Sequence, residues 1–408
     1  MTARARSDAG PSFEEIMTGS EKAERMIYLD NSATTRPSPA AAEAAERAIR
    51  GNFGNPSSLY RLGLDAEKEV KAARKAVASC FGASADEVFF TSGGTESDDT
   101  ALFGVWESRK KQGNKIISTA VEHPAVLRCL DALKTRGAEI VLVPVKKDGN
   151  LDMDAFEDAL DDRTVLVSVM HVNNETGAVF PIADIAELIR KRFGSDIASR
   201  PLLHSDCVQS LGKISVDVKS MGVDLASFSA HKIHGIKGCG ALFVRSGLHI
   251  PPYIYGGGQE KNFRSGTENV PGIAAFGAAA EELTLPDPAP AGRLKELILK
   301  EIPDVRINSP EDGCPLILNV SFLGCRAEVL LHMLEQDGIC VSTGSACSSK
   351  SKGSHVLSAM GLSAEEIEGA LRFSFCRDNT VEEVEYVAER LIKYTGDQRR
   401  LRSAFRKR

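Results

Sequence analysis

Residues 201–244 read PLLHSDCVQSLGKISVDVKSMGVDLASFSAHKIHGIKGCGALFV. Three runs in this stretch, at 201–205, 223–229 and 240–244, have the length and the apolar or small side chains of buried strands. Four similar runs precede them in the chain, at 88–91, 115–119, 139–143 and 165–171. We therefore predict a sheet of seven strands.

Helical patterns separate most of these runs. Apolar residues recur at three- and four-residue steps over 64–81, 124–136 and 182–193. Pro124 suits the first turn of a helix, and Gly137 suits the residue just after its end. The alternation of strand and helix predicts an α/β fold whose mostly parallel sheet is covered by helices on both faces.

A proline-rich stretch divides the chain. The sequence LPDPAP at 285–290 has prolines at alternate positions, which predicts a linker or hinge because proline interrupts a helix. We expect a large domain over 40–285 and a smaller α+β domain over 286–408, with the segment 26–39 packed against the smaller one. Residues 1–25 are polar and show no periodicity, which predicts a flexible tail. The alternative is that translation naturally starts at Met26 and that these residues come from an upstream start.

The end of the chain predicts a helix followed by a charged tail. Residues 381–394 have the pattern of an amphipathic helix. The basic residues of 399–408 are interpreted as a solvated end, with a weak contact to an acidic partner as the alternative.

Composition excludes several classes of protein. The 408 residues are 42% hydrophobic and 26% charged with a net charge of -6, which favours neither a nucleic-acid-binding nor a membrane-surface protein. No apolar run approaches the roughly 20 residues of a membrane helix. The first 25 residues have the pattern of neither a secretory signal nor a transit peptide, so we expect a cytoplasmic protein with no membrane or direct nucleic-acid partner.

The cysteines predict neither disulfides nor a metal site. There are 9 of them, an odd number, and none forms a C-x-x-C pair. In a reducing compartment each is interpreted as a small buried apolar residue unless its context differs. Only Cys347 stands out, because it lies among small, polar and glycine residues, with Lys350 and Lys352 nearby to favour a thiolate.

The sequence TSGGTES at 91–97 follows a predicted strand and precedes a predicted helix. Its paired glycines let the backbone approach a ligand, and the free N–H groups of a helix start attract a phosphate. No lysine follows the glycines, so the stretch does not match a Walker A loop. A plain helix-capping turn explains the stretch equally well.

Two further residues are weak signals when each is taken alone. Asp206 follows a predicted strand, where open α/β sheets place ligands, although a helix N-cap or a solvated acid accounts for it better. Lys232 follows another strand, and partial burial would lower its pKa and free its amine as a nucleophile, although most lysines lie on the surface. In order along the chain, phosphate loop, aspartate and lysine together describe a site for pyridoxal phosphate.

Six motifs in this chain resemble the NifS/IscS-like cysteine desulfurases. They are YLDNSATT at 28–35, TSGGTES at 91–97, HVNNETG at 171–177, SAHK at 229–232, RSGT at 264–267 and STGSACS at 342–348. The resemblance runs from about residue 26 to about residue 394. It implies the fold type I of pyridoxal-phosphate-dependent transferases and a homodimer.

The resemblance also implies roles for individual residues. Lys232 resembles the lysine that binds the cofactor aldehyde, Asp206 the partner of the pyridine nitrogen, and Gln209 the donor to the ring hydroxyl. His123 resembles the imidazole stacked on the ring. The phosphate would be held by Gly94, Thr95, Ser229 and His231, and by Thr267 of the neighbouring subunit, whereas Asn174 and Arg372 would hold the substrate carboxylate.

The same resemblance makes Cys347 the carrier of a persulfide. The implied reaction converts L-cysteine to L-alanine and passes the sulfur to an acceptor protein for iron–sulfur cluster assembly or tRNA thiolation. The length of the segment around Cys347 resembles the subgroup with direct persulfide delivery. The alternatives are a selenocysteine lyase, another fold type I enzyme such as an aminotransferase, or a non-catalytic sulfur-transfer scaffold.

Overall fold

A computed structural model of the chain describes residues 26–343 and 353–406. The predictions for residues 1–25 and for Cys347 therefore lie outside the described residues. The strands are β1 (Ile27–Tyr28), β2 (Val88–Thr91), β3 (Lys115–Thr119), β4 (Glu139–Val143), β5 (Thr164–Ser168), β6 (Leu202–Asp206), β7 (Leu225–Ser229), β8 (Gly240–Val244), β9 (Val305–Ile307), β10 (Ile317–Phe322), β11 (Ile339–Cys340) and β12 (Ala370–Ser374).

Helices lie between most of the strands. They are α1 (Pro39–Arg50), α2 (Arg61–Ser79), α3 (Gly94–Arg109), α4 (Pro124–Thr135), α5 (Met153–Ala159), α6 (Ile182–Phe193), α7 (Val218–Met221), α8 (Val270–Glu281), α9 (Ala289–Glu301), α10 (Ala327–Gln336), α11 (His355–Ala359), α12 (Ala364–Glu368) and α13 (Val381–Arg406). Short 3-10 turns occupy Ala85–Glu87, Ala230–Lys232 and Glu260–Asn262.

The predicted seven-stranded sheet is confirmed. Its strand order is β2-β8-β7-β6-β5-β3-β4, and only β8 runs antiparallel to its neighbours. Five-residue strands such as β6 and β7 are buried along their whole length, as a sheet covered on both faces requires. The strand predicted at 165–171 ends earlier, at Ser168, although the N–H of His171 still donates to Asp206 O at 2.9 Å.

Two hydrophobic clusters cover the two faces of this sheet. One contains buried residues of α1, α2, α6 and α8, and the other contains buried residues of α3 and α4. Helices α1 and α2 both pack on α8 through small side chains, and Gly277 of α8 lies so close to Ala73 that a Cβ there would be 2.6 Å from the Ala73 Cβ.

A third hydrophobic cluster belongs to the C-terminal part of the chain. It surrounds an antiparallel sheet of order β12-β10-β9, with α9, α10 and α13 packed around it. The first described strand joins this part, because β1 pairs in parallel with β11 and Leu29 is buried in the same cluster. The arrangement is the smaller α+β unit that the fold prediction includes.

One expectation about the C-terminal part is partly wrong, and another needs an addition. The stretch 285–290 is not a linker throughout, because α9 begins at Ala289 and places Pro290 in its first turn, where a missing N–H costs no hydrogen bond. The basic end is helical, because α13 continues to Arg406, and Arg400, Leu401 and Ser403 are exposed as a solvated end requires. Arg399 holds it there by donating to Leu323 O at 2.9 Å and to Asp304 O at 3.1 Å.

The fold brings three chain segments to one edge of the large sheet. Parallel strands β6 and β7 end there at Asp206 and Ser229, and α3 begins there at Gly94. Loops that follow neighbouring strands reach the same edge. Along residues 26–343 and 353–406, no helix has both the length and the apolar character that crossing a membrane requires.

Candidate active site

A cavity of about 220 Å³ lies at this edge of the sheet. It brings together nine of the residues singled out from the sequence: Gly94, Thr95, His123, Asn174, Asp206, Gln209, Ser229, His231 and Lys232. Asp98, Met170 and Val208 complete the lining. Two predicted residues, Thr267 and Arg372, do not line it. Cys347 is outside the described residues.

The start of α3 forms one end of the cavity. Gly93 precedes it and Gly94 is its first residue, so free backbone N–H groups face this end together with the Thr95 side chain. A Cβ on Gly94 would lie 2.8 Å from Val208 Cγ2, which explains why a glycine stands here. The partial positive charge of the helix start makes this end suited to an anion.

Lys232 lies at the opposite side, in the 3-10 turn that follows β7. Its Nζ donates to Ser32 O and to Ala33 O, both at 2.7 Å. Burial, followed by the charges of Lys213 and Arg372, lowers the pKa of Lys232 from 10.5 to about 7. The amine is therefore available in its neutral form near neutral pH, which nucleophilic and base chemistry require.

Lys213 is a second amine behind Lys232. Together with Cys376, the two lysines line a small chamber of about 20 Å³ on the far side of Lys232. The Nζ of Lys213 is buried and makes no hydrogen bond within the described part of the chain. Burial lowers the pKa of Lys213 to about 8. Sequence reasoning did not single out Lys213, and no spacing signal marks it.

Asp206 is buried at the end of β6. Its Oδ1 accepts a hydrogen bond from Val208 N–H at 2.9 Å. Burial raises the pKa of Asp206, whereas the charges of His123 and Lys232 oppose that rise. Asp206 is at the strand end that the sequence predicts, and the charges that His123 and Lys232 carry when protonated favour its carboxylate.

His123 is the N-cap of α4. Its Nδ1 accepts a hydrogen bond from Ala125 N–H at 3.2 Å, so the proton of the neutral ring lies on Nε2. Burial lowers the pKa of His123, with Asp206 acting in the opposite direction. The neighbouring Glu122 accepts from Met170 N–H through both carboxyl oxygens, at 3.0 and 3.1 Å, which fixes the loop that carries His123.

The remaining wall combines donors and acceptors. Gln209 donates through Nε2 to Ser32 O at 2.9 Å, and its buried Oε1 has no hydrogen-bond partner in the described residues. His231 shares a hydrogen bond with Thr34 Oγ1 at 3.0 Å, and burial lowers the pKa of His231 to about 4. This histidine is therefore neutral at physiological pH.

Arg372 lies behind Asn174 and does not line the cavity. Its Nη1 donates to Asn174 O at 3.0 Å, and its Nη2 donates to Asp30 Oδ1 at 2.5 Å. Its Nε is buried with no hydrogen-bond partner among the described residues. The partnership with Asp30 was not predicted, because 342 positions separate the two residues. The pairing of β1 with β11 and the bridge between Asp30 and Ser374 bring the N-terminal segment here.

Thr267 lines a second cavity of about 230 Å³ near the other side of α3. Arg264 and Ser92 also line it, and Arg264 forms an ion pair with Glu96 at 2.7 Å. Glu260–Asn262, just before this segment, has positive φ angles of 47°, 59° and 65°. Glu260 holds that turn through two hydrogen bonds from Arg74, both at 2.6 Å.

The described residues on either side of segment 344–352 contact the site. Ser342 and Arg372 exchange backbone hydrogen bonds at 3.2 and 2.7 Å. After the segment, Ser354 Oγ donates to Glu175 Oε2 at 2.5 Å, and His355 Nε2 lies 3.0 Å from Glu122 O. The segment that contains Cys347 thus begins and ends beside Arg372, Asn174 and His123.

Comparison with known proteins identifies relatives along nearly the whole chain. The family model described as "Aminotransferase class-V" matches residues 27–387. The protein named "Cysteine desulfurase IscS" of Clostridium botulinum strain Hall is 40% identical over 388 residues, which are 92% of this chain and 96% of that protein. The protein of the same name from Methanosarcina thermophila is 41% identical over 374 residues, 90% of this chain and 91% of that protein.

Solved structures give the same picture. A structure titled "NifS-like protein" superposes with a TM-score of 0.81 at 37% identity and covers 91% of this chain and 99% of its own. Another, titled "SspA in complex with cysteine", has a TM-score of 0.77 at 31% identity and covers 86% of this chain and 98% of its own.

Proposed function

Because this chain belongs to the aminotransferase class-V family and to its cysteine desulfurases, we propose that it is a pyridoxal-phosphate-dependent desulfurase of L-cysteine. It produces L-alanine and carries the sulfur as a persulfide on Cys347, for iron–sulfur cluster assembly or tRNA thiolation. One observation carries the proposal: a lysine amine with a lowered pKa, a buried carboxyl and a helix start converge on a single cavity. That combination is the donor set that pyridoxal phosphate needs.

The cavity residues fit the cofactor. Gly94 and Thr95 offer N–H groups and a hydroxyl for the phosphate, and the missing Cβ of Gly94 leaves room for it. Asp206 supplies a carboxylate for the ring nitrogen. Gln209 faces the cavity with a buried amide oxygen that has no hydrogen-bond partner among the described residues, as expected for a group completed by a ligand.

Lys232 and Asp206 perform the work at the Cα atom of cysteine. The bound cofactor supplies a ring that accepts the negative charge developing there. With a pKa of about 7, Lys232 is neutral often enough to bind the aldehyde and then to accept the Cα proton. Asp206, whose carboxylate accepts the N–H of Val208, would keep the ring nitrogen protonated.

His123 handles the proton of the substrate sulfur. Its Nδ1 is occupied by Ala125 N–H, so Nε2 is the atom that exchanges a proton with the cavity. Burial keeps the ring neutral with its proton on Nε2, so His123 would donate a hydrogen bond to the substrate sulfur and favour its thiolate form. Glu122, anchored by Met170 N–H, holds the loop in place while this occurs.

Asn174 and Arg372 orient the substrate through its carboxylate. Arg372 has a buried Nε–H without a partner among the described residues, and its Nη2 is shared with Asp30. A substrate carboxylate would compete with Asp30 for this guanidinium. The planar guanidinium can bind a carboxylate with two parallel hydrogen bonds, a geometry that lysine cannot provide.

Sulfur transfer ends at Cys347. Its thiolate attacks the substrate sulfur, so an S–S bond forms while the C–S bond breaks. The electron pair of the C–S bond stays on Cβ, which takes a proton to complete alanine, and the transferred sulfur becomes oxidised to the sulfane level. Contacts of Ser342, Ser354 and His355 at the site support delivery from this segment.

We further propose a homodimer in which Thr267 reaches the phosphate bound by the neighbouring subunit. Its position outside the main cavity, in a second one of about 230 Å³, supports this. Large exposed apolar side chains, among them Phe53 at 72%, Leu59 at 90% and Tyr255 at 77%, support an interface. We place the enzyme in the cytoplasm, since the eight cysteines described are all unpaired.

Two variants test the activity. Lys232→Ala should lose the visible absorption of the lysine-bound cofactor, with the exposed Lys237→Ala as the matched control; an unchanged spectrum in Lys232→Ala rejects the lysine assignment. Cys347→Ser should bind cofactor but form no persulfide from labelled cysteine, and full turnover by it excludes Cys347 as the carrier. Release of alanine from cysteine distinguishes a desulfurase from a non-catalytic scaffold. The ratio of the rates on cysteine and on selenocysteine distinguishes it from a selenocysteine lyase.

A further inference from the structure

A second carboxyl group lies in the cavity near Asp206, and none of the catalytic steps proposed for this enzyme uses it. It belongs to Asp98, which stands on the first turns of α3 and lines the cavity although only 1% of its surface is exposed. Its Oδ1 lies 3.6 Å from Nε2 of His204 and has no hydrogen-bond partner within the described residues. A buried carboxyl in this position must be either paired or uncharged.

A row of three polar side chains runs beneath Asp98 across neighbouring strands. Ser168 of β5 lies 2.9 Å from Nδ1 of His204 on β6, and Ser227 of β7 lies 3.0 Å from its Nε2. The register places Ser168 opposite His204, and Ser227 opposite Asp206. Ser227 therefore links the row to the strand pair that carries Asp206.

His204 cannot supply a positive charge for Asp98. Both of its ring nitrogens are already engaged by serine hydroxyls, and burial lowers its pKa to about 3. No lysine or arginine among the described residues forms an ion pair with Asp98. The other titratable groups facing it are Asp206, Glu122 and Asp99, and each of them raises the pKa of Asp98 further after burial itself.

The two carboxyls of the cavity thus have different surroundings. Around Asp206, the N–H of Val208 and the charges that His123 and Lys232 carry when protonated all favour its charged form. Burial and the negative charge of Asp206 both disfavour the charged form of Asp98. A hydrogen bond from Ser227 favours that form. When one of two neighbouring carboxyls ionises, the other retains its proton.

We propose that Asp98 is a positioning residue that acts as a neutral carboxylic acid, hydrogen-bonded into the Ser227–His204 row and leaving Asp206 as the single anion opposite the ring nitrogen. A charged Asp98 would repel Asp206 across the cavity and weaken its hold on a protonated ring. This last consequence rests on the proposed function, whereas the protonation state of Asp98 does not.

The protonation state can be measured without cofactor. Infrared spectra of the cofactor-free protein at neutral pH should show a protonated-carboxyl C=O band that is absent from Asp98→Asn and present in the matched control Asp99→Asn. Glu122→Gln identifies the separate band of that buried acid, whose pKa is raised to about 8 by burial. A wild-type spectrum that does not differ from Asp98→Asn in this region overturns the proposal.

Kinetics of the loaded enzyme test the positioning role. Asn has the shape and hydrogen-bonding capacity of a neutral acid, so Asp98→Asn should keep kcat and its pH profile within about twofold. Asp98→Ala should lower kcat by about tenfold, because Ser227 loses a buried partner. Normal turnover by Asp98→Ala, or equal damage in both variants, refutes positioning by a neutral acid. If no desulfurase activity exists at all, the infrared result still stands.

Discussion

Lys232 should titrate near pH 7 in the cofactor-free protein. Its pKa falls from 10.5 to about 7 because the amine is buried and because Lys213 and Arg372 add positive charge. At pH 7 about half of the molecules then carry a neutral amine, whereas a pKa of 10.5 would leave only about one in 3,000 neutral. The reactive form is thus enriched by about three orders of magnitude.

The titration can be followed by the rate at which each lysine is modified. Cofactor-free protein is pulsed with isotopically labelled formaldehyde and a reductant at several values from about pH 5 to about pH 10, which bracket the expected pKa of about 7. Peptides are then quantified by mass spectrometry. The exposed Lys237, five positions along the chain, gives an internal reference for reagent reactivity. The labelling rate of Lys232 should rise through a midpoint near 7.

A second variant tests the cause of the shift. Lys213→Met keeps a long side chain but removes a charge that lowers the pKa of Lys232, so its midpoint should move upward. Each pKa unit gained would reduce the neutral fraction at low pH by about tenfold. A wild-type midpoint above about 9 would refute the reasoning about burial. An unchanged midpoint in Lys213→Met would refute the contribution of the neighbouring amine.

Three further predictions concern binding and stability. Gly94→Ala should weaken cofactor binding by at least about tenfold, because the new Cβ would lie 2.8 Å from Val208 Cγ2; fluorescence titration measures this, and an unchanged Kd contradicts the steric argument. Arg74→Met should lower the free energy of unfolding in urea by about 3 to 5 kcal/mol, since Glu260 stays buried without its partner, and a loss below about 1 kcal/mol opposes this. Arg372→Lys should raise KM for cysteine about tenfold with kcat nearly unchanged; a normal KM counts against its contact with the carboxylate.

The sequence contained most of what places the site. Strand ends are marked by a change from apolar to polar residues, so the amino-acid sequence alone assigns Asp206 and Lys232 to one edge of a parallel sheet. The glycines at 93–94 mark the start of α3 in the same way. These signals are local, because a strand and the residue after it are neighbours in the chain.

Contacts between distant parts of the chain carried no such signal. Asp30 meets Arg372 because β1 joins the C-terminal part, and no periodicity reveals that pairing. No motif in the sequence marks Asp98, although α3 is packed on the sheet along its length. A weaker clue existed, since Asp98 stands three positions after Thr95 and such residues share a helix face.

Two details of the C-terminal part could not be predicted from composition alone. Prolines at 286 and 288 do interrupt the helix, but Pro290 is compatible with a first turn, so composition alone placed the end of the linker too late. Basic residues near 400 were interpreted by their charge, whereas Arg399 uses its guanidinium to bind the carbonyls of Leu323 and Asp304. Backbone acceptors of this kind cannot be recognised from sequence.

The row formed by Ser168, His204 and Ser227 constrains which amino-acid substitutions this chain can accept during evolution. Each member is a hydrogen-bond partner of another in the interior of the sheet. An apolar substitution at one position therefore leaves its neighbour buried without a partner, at a cost of about 1 to 3 kcal/mol. Replacing the whole set with apolar residues of matching shape would cost far less. The three sites are therefore epistatic, and descendants of this fold should retain the trio or exchange it as a unit.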